Sequence, residues 1–557
     1  MNSTAGLQTL DYLAIVGYLV VTWYIAYRAT RKTDDTEDFF LGGRNMPWFA
    51  VGLSIMATLL STNTYLGAPG EMIKYGPAYF LGYLAYPFVI AVVMGLWVPF
   101  FMRLRLTSAY EFLELRFDRR AKILGSLLFL GLRLGWMSMV VYTASMAMVA
   151  MVPEHANALV QLFGASHPIY PVVLAVGVAA TIYACVGGIR AVIWTDVLQA
   201  VMLFGGVALI IGYVMWTDRS GVGTWWAAVT AEAHSPPKLI WLSWDIAERT
   251  TVLWGFFSIL AWNCCTHCCD QVALQRYFAT TSLGAARRSF LVNILSSSSI
   301  GLLLAISGLA LRYHYLHHAD DLPAGLTPTS GADQLMPVFF AYTLPVGFGG
   351  LILVSFLCDA LQTLGSGVNS IAAVLTGESS ENAPPQGAQG VWRARMTTLA
   401  VGAVATTLAL GAARFALHSG NTIFDMMPRM FNMFLGPLAC LFMIGMFYRR
   451  ATGGVVFAAI LITQAMSSLW SWWAQVPDLL HWLGADGVAT WWTSLLGIDA
   501  ATGKLRSPTV MLAIAAPAAF GLALGALFSA LFGRNDHPGV EYTRREVMKR
   551  PVPEATA

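Results

Sequence analysis

Cys358-Asp359-Ala360-Leu361-Gln362-Thr363-Leu364-Gly365-Ser366-Gly367-Val368-Asn369-Ser370 lies within an apolar run spanning 346–376. Asp359, Gln362, Thr363 and Ser366 fall at i, i+3, i+4 and i+7, and Asn369 and Ser370 extend the line, so all occupy one face of a helix. A helix carrying a carboxylate stripe cannot turn that face to lipid. It belongs inside a bundle of membrane helices, where two readings are open. The stripe is either a hydrogen-bonded seam of the kind Ser, Thr and Asn make between helices, or a cation or proton site built around a costly intramembrane carboxylate.

The rest of the chain agrees with a bilayer setting. Of 557 residues, 57% are apolar or aromatic and only 11% charged, less than half the roughly 25% charge of ordinary soluble chains. A spanning helix needs about 20 apolar residues. Runs of that kind fall at 11–28, 46–68, 78–102, 121–152, 168–187, 193–216, 250–270, 288–311, 346–376, 395–417, 422–447, 453–475 and 508–533, thirteen spans in all. Unbroken runs rather than strict alternation disfavour a transmembrane β-barrel. The first run has no preceding Lys or Arg and no small-residue cleavage site, and reads as a retained helix. With 33 basic and 30 acidic residues and no basic tract interleaved with aromatics, nucleic-acid binding is not expected.

The basic residues sort by loop. Arg28 to Arg44, Arg103 to Lys122, Arg190, Arg276 to Arg288, Arg393 with Arg395, Arg449 with Arg450, and the tail from Arg534 hold 23 of them, against 8 in the alternate loops. The positive-inside rule then puts the amino terminus outside and the carboxyl terminus in the cytoplasm of a multi-pass cell-membrane protein. Arg133 and Arg429 are the exceptions, lying inside predicted spans, where an arginine either snorkels or marks a pathway. The tryptophans from Trp470 to Trp492 read as an interfacial belt. The segment 378–390 reads as a flexible loop, and the polar tail after Arg534 is expected to be poorly ordered.

Two further spans carry polar interruptions. In span two, Ser61-Thr62-Asn63-Thr64 precedes Gly67, Pro69 and Gly70, and such side chains compete for backbone groups and weaken the helix. A break there would free carbonyls facing the hydroxyls of span nine, an all-oxygen setting suited to a hard cation, and transporters build sites from interrupted helices. Span seven has a second such stretch, from Asn263 to Gln271. Its Cys264, His267 and Cys268 could meet a soft metal at i, i+3 and i+4. No second Cys or His group lies on another span to complete a tetrahedron, so packing beside a cavity is the competing account and no transition metal is expected. All seven cysteines fall in predicted spans, so no disulfide is implied.

The chain from about Asp35 to Gly454 resembles the sodium:solute symporters, the group of sodium/glucose, iodide, monocarboxylate and multivitamin cotransporters. The resemblance rests on segments in order: Phe39-Phe40-Leu41-Gly42-Gly43-Arg44; Thr107 to Phe117; Tyr183 to Asp196 around Gly187-Gly188; Asp270-Gln271 with Gln275-Arg276-Tyr277; Ser366 to Val374; and Gly436-Pro437-Leu438 with Gly445-Met446-Phe447. Leu66 to Glu71 and the wording of span nine lean toward the iodide, monocarboxylate and vitamin branch. The resemblance implies an all-α polytopic protein with a five-plus-five inverted-repeat core containing two broken helices. Residues 1–45 would hold the first helix and a cytoplasmic loop, 46–216 the first repeat, 217–249 an outer loop, 250–450 the second repeat, 451–533 two trailing helices and 534–557 the tail.

It also implies a transporter rather than an enzyme, with no cofactor, moving a small solute with sodium as coupling ion. The solute would be an organic compound, a carboxylate or sugar-like molecule. The ion would face the backbone carbonyls of Ala57, Leu60 and Asp359 and the side chains of Gln362 and Thr363. Asp196 would lie on an inner exit path or second ion site; a helix-start carboxylate favoured by the macrodipole is the plainer reading. The solute cavity would be lined by Asn63, Thr64, Arg133, Thr266, His267, Arg429 and Asn432, a guanidinium being suited to a bidentate carboxylate. Gln362 replaces a usual Ser and Asp359 a usual small apolar residue, which leaves a proton-coupled variant open. A passive channel, a membrane redox or metal enzyme and a non-transporting sensor are the readings from other classes.

Overall fold

The computed structural model describes residues 8–30, 42–104, 106, 108–184, 189–231, 239–323, 326–327, 331–376, 388–498 and 505–551. Among these there are helices and two isolated bridges but no strand. Residues 39–41, Thr107 and Gly187-Gly188 of the matching segments, and most of the loop 378–390, lie outside the described residues.

The helices are α1 (Thr9–Thr30), α2 (Trp48–Tyr75), α3 (Ala78–Leu104), α4 (Arg119–Met151), α5 (Ile169–Ala184), α6 (Ile189–Thr217), α7 (Val252–Cys269), α8 (Leu283–His317), α9 (Phe348–Thr376), α10 (Ala388–Ser419), α11 (Ile423–Phe447), α12 (Gly453–Ser471) and α13 (Val510–Phe532). Twelve of them are long and apolar enough to cross a membrane; α5, at the fifth predicted span, has 16 residues. Their starts follow local chemistry. Asp118, Thr251 and Ser282 accept hydrogen bonds from the amides of Ala121, Trp254 and Ala285 at the first turns of α4, α7 and α8, satisfying donors that a helix start leaves open. Thr422 and Asp425 form a reciprocal capping box at the start of α11.

Burial ranks the helices by position. In α2, 83% of the apolar window is buried, against 17% in α1, so α2 is central and α1 faces lipid. α1 is nevertheless anchored: Asp11 accepts from the amides of Gly347 and Gly350 at 2.9 and 2.8 Å, capping the start of α9. α2 runs along α8 at close range. A Cβ at Gly308 of α8 would sit 2.7 Å from the Pro69 carbonyl oxygen, so only glycine permits the approach.

The tail departs from expectation, because residues 534–551 fold back onto the bundle. Arg116 donates to the carbonyls of Gly445 and Tyr448 at 2.8 Å each, and its Nη1 lies 3.3 Å from His537 Nε2. Val547 is fully buried. One guanidinium collecting the open carbonyls at the end of α11 gives the polar tail a surface on which to order.

Candidate functional site

α2 breaks at Ser61, whose φ of 48° and ψ of 171° are non-helical. The amide of Thr62, which would otherwise close a turn onto the Thr58 carbonyl, donates to Asp359 Oδ2 at 2.7 Å, and the Thr62 hydroxyl donates to the same oxygen. The Gln199 side chain is a further hydrogen-bond partner of Asp359. Asp359 of α9 thus caps the second segment of α2. It is not a counter-ion for either intramembrane arginine, since Arg133 pairs with Asp270 and Arg429 donates to the Asp425 carbonyl.

Ala57 and Leu60 precede the break in α2, Asp359, Gln362 and Thr363 lie on α9, and all five are buried. Both amide atoms of Gln362 and the Ser61 hydroxyl are buried without a hydrogen-bond partner. Buried oxygens without a partner are the kind of group a hard cation takes.

Asp196 is placed elsewhere. It accepts from Ser54 Oγ at 2.5 Å, Thr58 Oγ1 at 3.1 Å and Arg276 Nη2 at 3.1 Å. Arg276 in turn donates to Ser54 at 2.8 Å and Thr58 at 2.7 Å. Asp196, expected on an inner exit path or at a second ion site, sits in a closed, buried ion pair between α6 and the helix Gln271–Phe278, which follows the break in span seven at Asp270.

A cavity abuts the break. Leu60 and Thr64 of α2, Asn263 of α7, Asn293 and Ser297 of α8, and Asn432 of α11 line it together with Tyr79, Tyr83, Tyr86, Trp136 and Trp262. Of the residues expected to hold the solute, Thr64 and Asn432 are present. The others are not on its wall. Asn63 accepts from Thr143 Oγ1 at 2.9 Å. The Arg133 guanidinium is paired with Asp270, with both side chains buried. The Thr266 carbonyl receives the Asp270 amide at 3.0 Å. His267 lies between the Tyr277 hydroxyl at 2.8 Å and Asn293 at 3.4 Å, which also leaves neither ring nitrogen for a metal shared with Cys264 and Cys268. Arg429 lies in an adjoining vestibule that shares Pro428 and Val510 with the cavity.

That vestibule is crossed by an ion cluster that span reading missed. Arg249 Nη1 lies 2.6 Å from Glu71 Oε1 and its Nη2 2.7 Å from Asp425 Oδ1, with the guanidinium 3.6 Å from the Tyr75 ring centroid. Burial alone would favour discharging Arg249, but the two carboxylates outweigh it and hold it protonated. The cluster ties the ends of α2 and α11 to the loop before α7.

Nearby Asp333 accepts from the Ile423 amide at 2.8 Å through Oδ2, while Oδ1 is buried without a partner. A Cβ at Gly70 would lie 2.0 Å from that Oδ1. Burial, with Asp425 and Glu71 adding repulsion, pushes the Asp333 carboxyl up to about 7. The folded protein therefore binds this proton more tightly than the unfolded chain, so stability is expected to fall as pH rises from about 4 to about 7 and to level off above that. Thermal unfolding across this range should show the slope in the parent and its loss in Asp333→Asn.

A model of the sodium:solute symporter family matches residues 39–463. The chain belongs to the sodium:solute symporter family. It is accordingly a multi-pass membrane transporter, a sodium-coupled solute symporter and not an enzyme. Relatives of this symporter include the sodium/sialic acid symporter SiaT of Proteus mirabilis, 27% identical over 459 residues, covering 82% of this chain and 88% of the relative. A putative sodium-dependent multivitamin transporter of Drosophila melanogaster is 29% identical over 477 residues, covering 83% and 74%. Among solved structures, a substrate-bound, outward-open Na+-coupled sialic acid symporter superposes with a TM-score of 0.72 at 23% identity, covering 94% of this chain and 98% of that one. The symporter shares its fold.

Proposed function

We propose that this symporter couples sodium entry to the uptake of a small, sugar-like organic solute by alternating access, with the ion where α2 breaks against α9 and the solute in the tyrosine-rich cavity. The observation that carries the reading is Leu60. It lines the cavity and directly precedes the break at Ser61; with its carbonyl assigned to the ion in this reading, occupancy of one site bears directly on the other. Amides and hydroxyls beside aromatic faces suit a polar ring with apolar faces. The sialic acid symporters among the relatives are named for a solute of this kind. A carboxylate on the solute would find a cation in Arg429 at the vestibule. We orient the vestibule outward, on the loop distribution of basic residues.

Uptake into proteoliposomes, screened over neutral sugars, sugar acids and monocarboxylates with and without an inward sodium gradient, tests the proposal. Accumulation of a sugar-like solute only with the sodium gradient is the expected result. Uptake that follows a proton gradient and ignores sodium would overturn the ion assignment. Thr363→Ala removes one ligand oxygen and is expected to raise the sodium concentration for half-maximal uptake by about 10-fold, equivalent to about 1.4 kcal/mol. Solute affinity should fall at low sodium and recover at high sodium; a defect that sodium does not rescue would count against this placement.

A further inference from the structure

Away from the transport site, Asp218, His314 and His318 meet where α6 and α8 end on the vestibule face. His314 Nδ1 lies 3.0 Å from Asp218 Oδ2, and His318 Nε2 lies 3.4 Å from Asp218 Oδ1. One ligand atom from each of the three falls within 4.8 Å of the others. A tetrahedral zinc ion with ligands at about 2.0–2.1 Å sets its ligand atoms about 3.3 Å apart; the two histidine–carboxylate separations, 3.0 and 3.4 Å to the two oxygens of Asp218, lie on either side of that value. The two histidines stand at i and i+4 at the end of one helix, with ring centroids 4.5 Å apart, so they share a face, and the carboxylate arrives from a different helix. His314 is buried and its other nitrogen, Nε2, has no partner among the described residues, so within them the cluster is the ring's hydrogen-bonding engagement. His318 forms the exposed side of the cluster.

We propose that Asp218, His314 and His318 form a binding site for a zinc-type divalent ion, which ties the end of α6 to the end of α8. The donor set, two imidazoles and one carboxylate, suits zinc and its neighbours and not magnesium or calcium, which take oxygen ligands. The site departs from the expectation that sodium is the only metal this chain holds. α6 and α8 each pack against α2 and against one another, so an ion joining their ends would resist relative movement of the helices around the broken segment and act as a brake on transport rather than as part of it.

The test uses the full chain in lipid nanodiscs, metal-stripped and without a polyhistidine tag, titrated with zinc chloride by calorimetry and followed by thermal unfolding. One saturable site per chain and a zinc-dependent rise in unfolding temperature are expected in the parent. His318→Ala should weaken binding by about 10-fold or more and abolish the thermal shift. Because His318 is 44% exposed, this variant keeps the fold, whereas Asp218→Asn probes the buried ligand. His481→Ala, at an exposed histidine paired with Asp486, should leave binding unchanged. Absence of saturable zinc binding in the parent, equal affinity in His318→Ala, or magnesium binding at the same site as tightly as zinc would overturn the proposal.

Discussion

Arg276→Gln is expected to destabilise the protein by about 3–5 kcal/mol, the usual cost of removing one partner from a buried ion pair. Arg276 and Asp196 are both nearly inaccessible, and the guanidinium also holds Ser54, Thr58 and the Val272 carbonyl at 3.0 Å. Its loss strands the Asp196 carboxylate among groups that can give it two hydroxyl hydrogen bonds but no charge. Against a total folding stability of about 5–15 kcal/mol, that is a large fraction. Thermal unfolding in nanodiscs checks it, with the double variant Arg276→Gln, Asp196→Asn as the decisive comparison. The double variant should recover part of the loss, because it removes the uncompensated charge. If it unfolds no later than Arg276→Gln alone, the pair is not what holds this corner together.

Asp359→Asn is expected to separate ion binding from folding. The asparagine oxygen can still accept from the Thr62 amide, so the cap on the second segment of α2 persists in part and the protein should remain folded. The full charge beside the proposed sodium ligands is lost, and the sodium needed for half-maximal uptake should rise by more than about 10-fold. Asp359→Ala goes further, leaving the Thr62 amide and hydroxyl without an acceptor, at about 1–3 kcal/mol for each buried group left unpaired. Uptake against sodium concentration and unfolding temperature, measured on both variants, distinguish these outcomes. An asparagine variant with unchanged sodium dependence would reduce the α9 stripe to a packing seam.

Much of this was legible in the sequence because it is local. The stripe from Asp359 to Ser366 follows from a 3.6-residue period, and the break in α2 falls within the hydroxyl-rich run that predicts it, at Ser61. The end of α7 at Asp270 follows from the polar stretch before it in the same way. What escaped was long-range. Arg133 and Arg429 stood out as cations in apolar runs, yet their partners depend on how helices are juxtaposed: Asp270 is 137 residues from Arg133. Arg276 carried no role until Ser54 and Asp196, 222 and 80 residues away, closed around it. The cavity tyrosines, Tyr79, Tyr83 and Tyr86, give no periodic signal distinguishable from an interfacial belt. A four-residue alternation at the start of a span is equally compatible with either.

The two arginine clasps differ in how water reaches them. Arg276 and Asp196 are sealed, whereas Arg249, which joins Glu71 and Asp425 across the vestibule, keeps 22% of its side chain exposed. Dissolved salt screens charges it can surround, with a Debye length of about 8 Å at physiological ionic strength, and leaves buried pairs almost untouched. Ionic strength therefore acts on one clasp only. Added salt is therefore expected to weaken the tie between α2, α11 and the loop before α7 while leaving the Arg276–Asp196 pair intact.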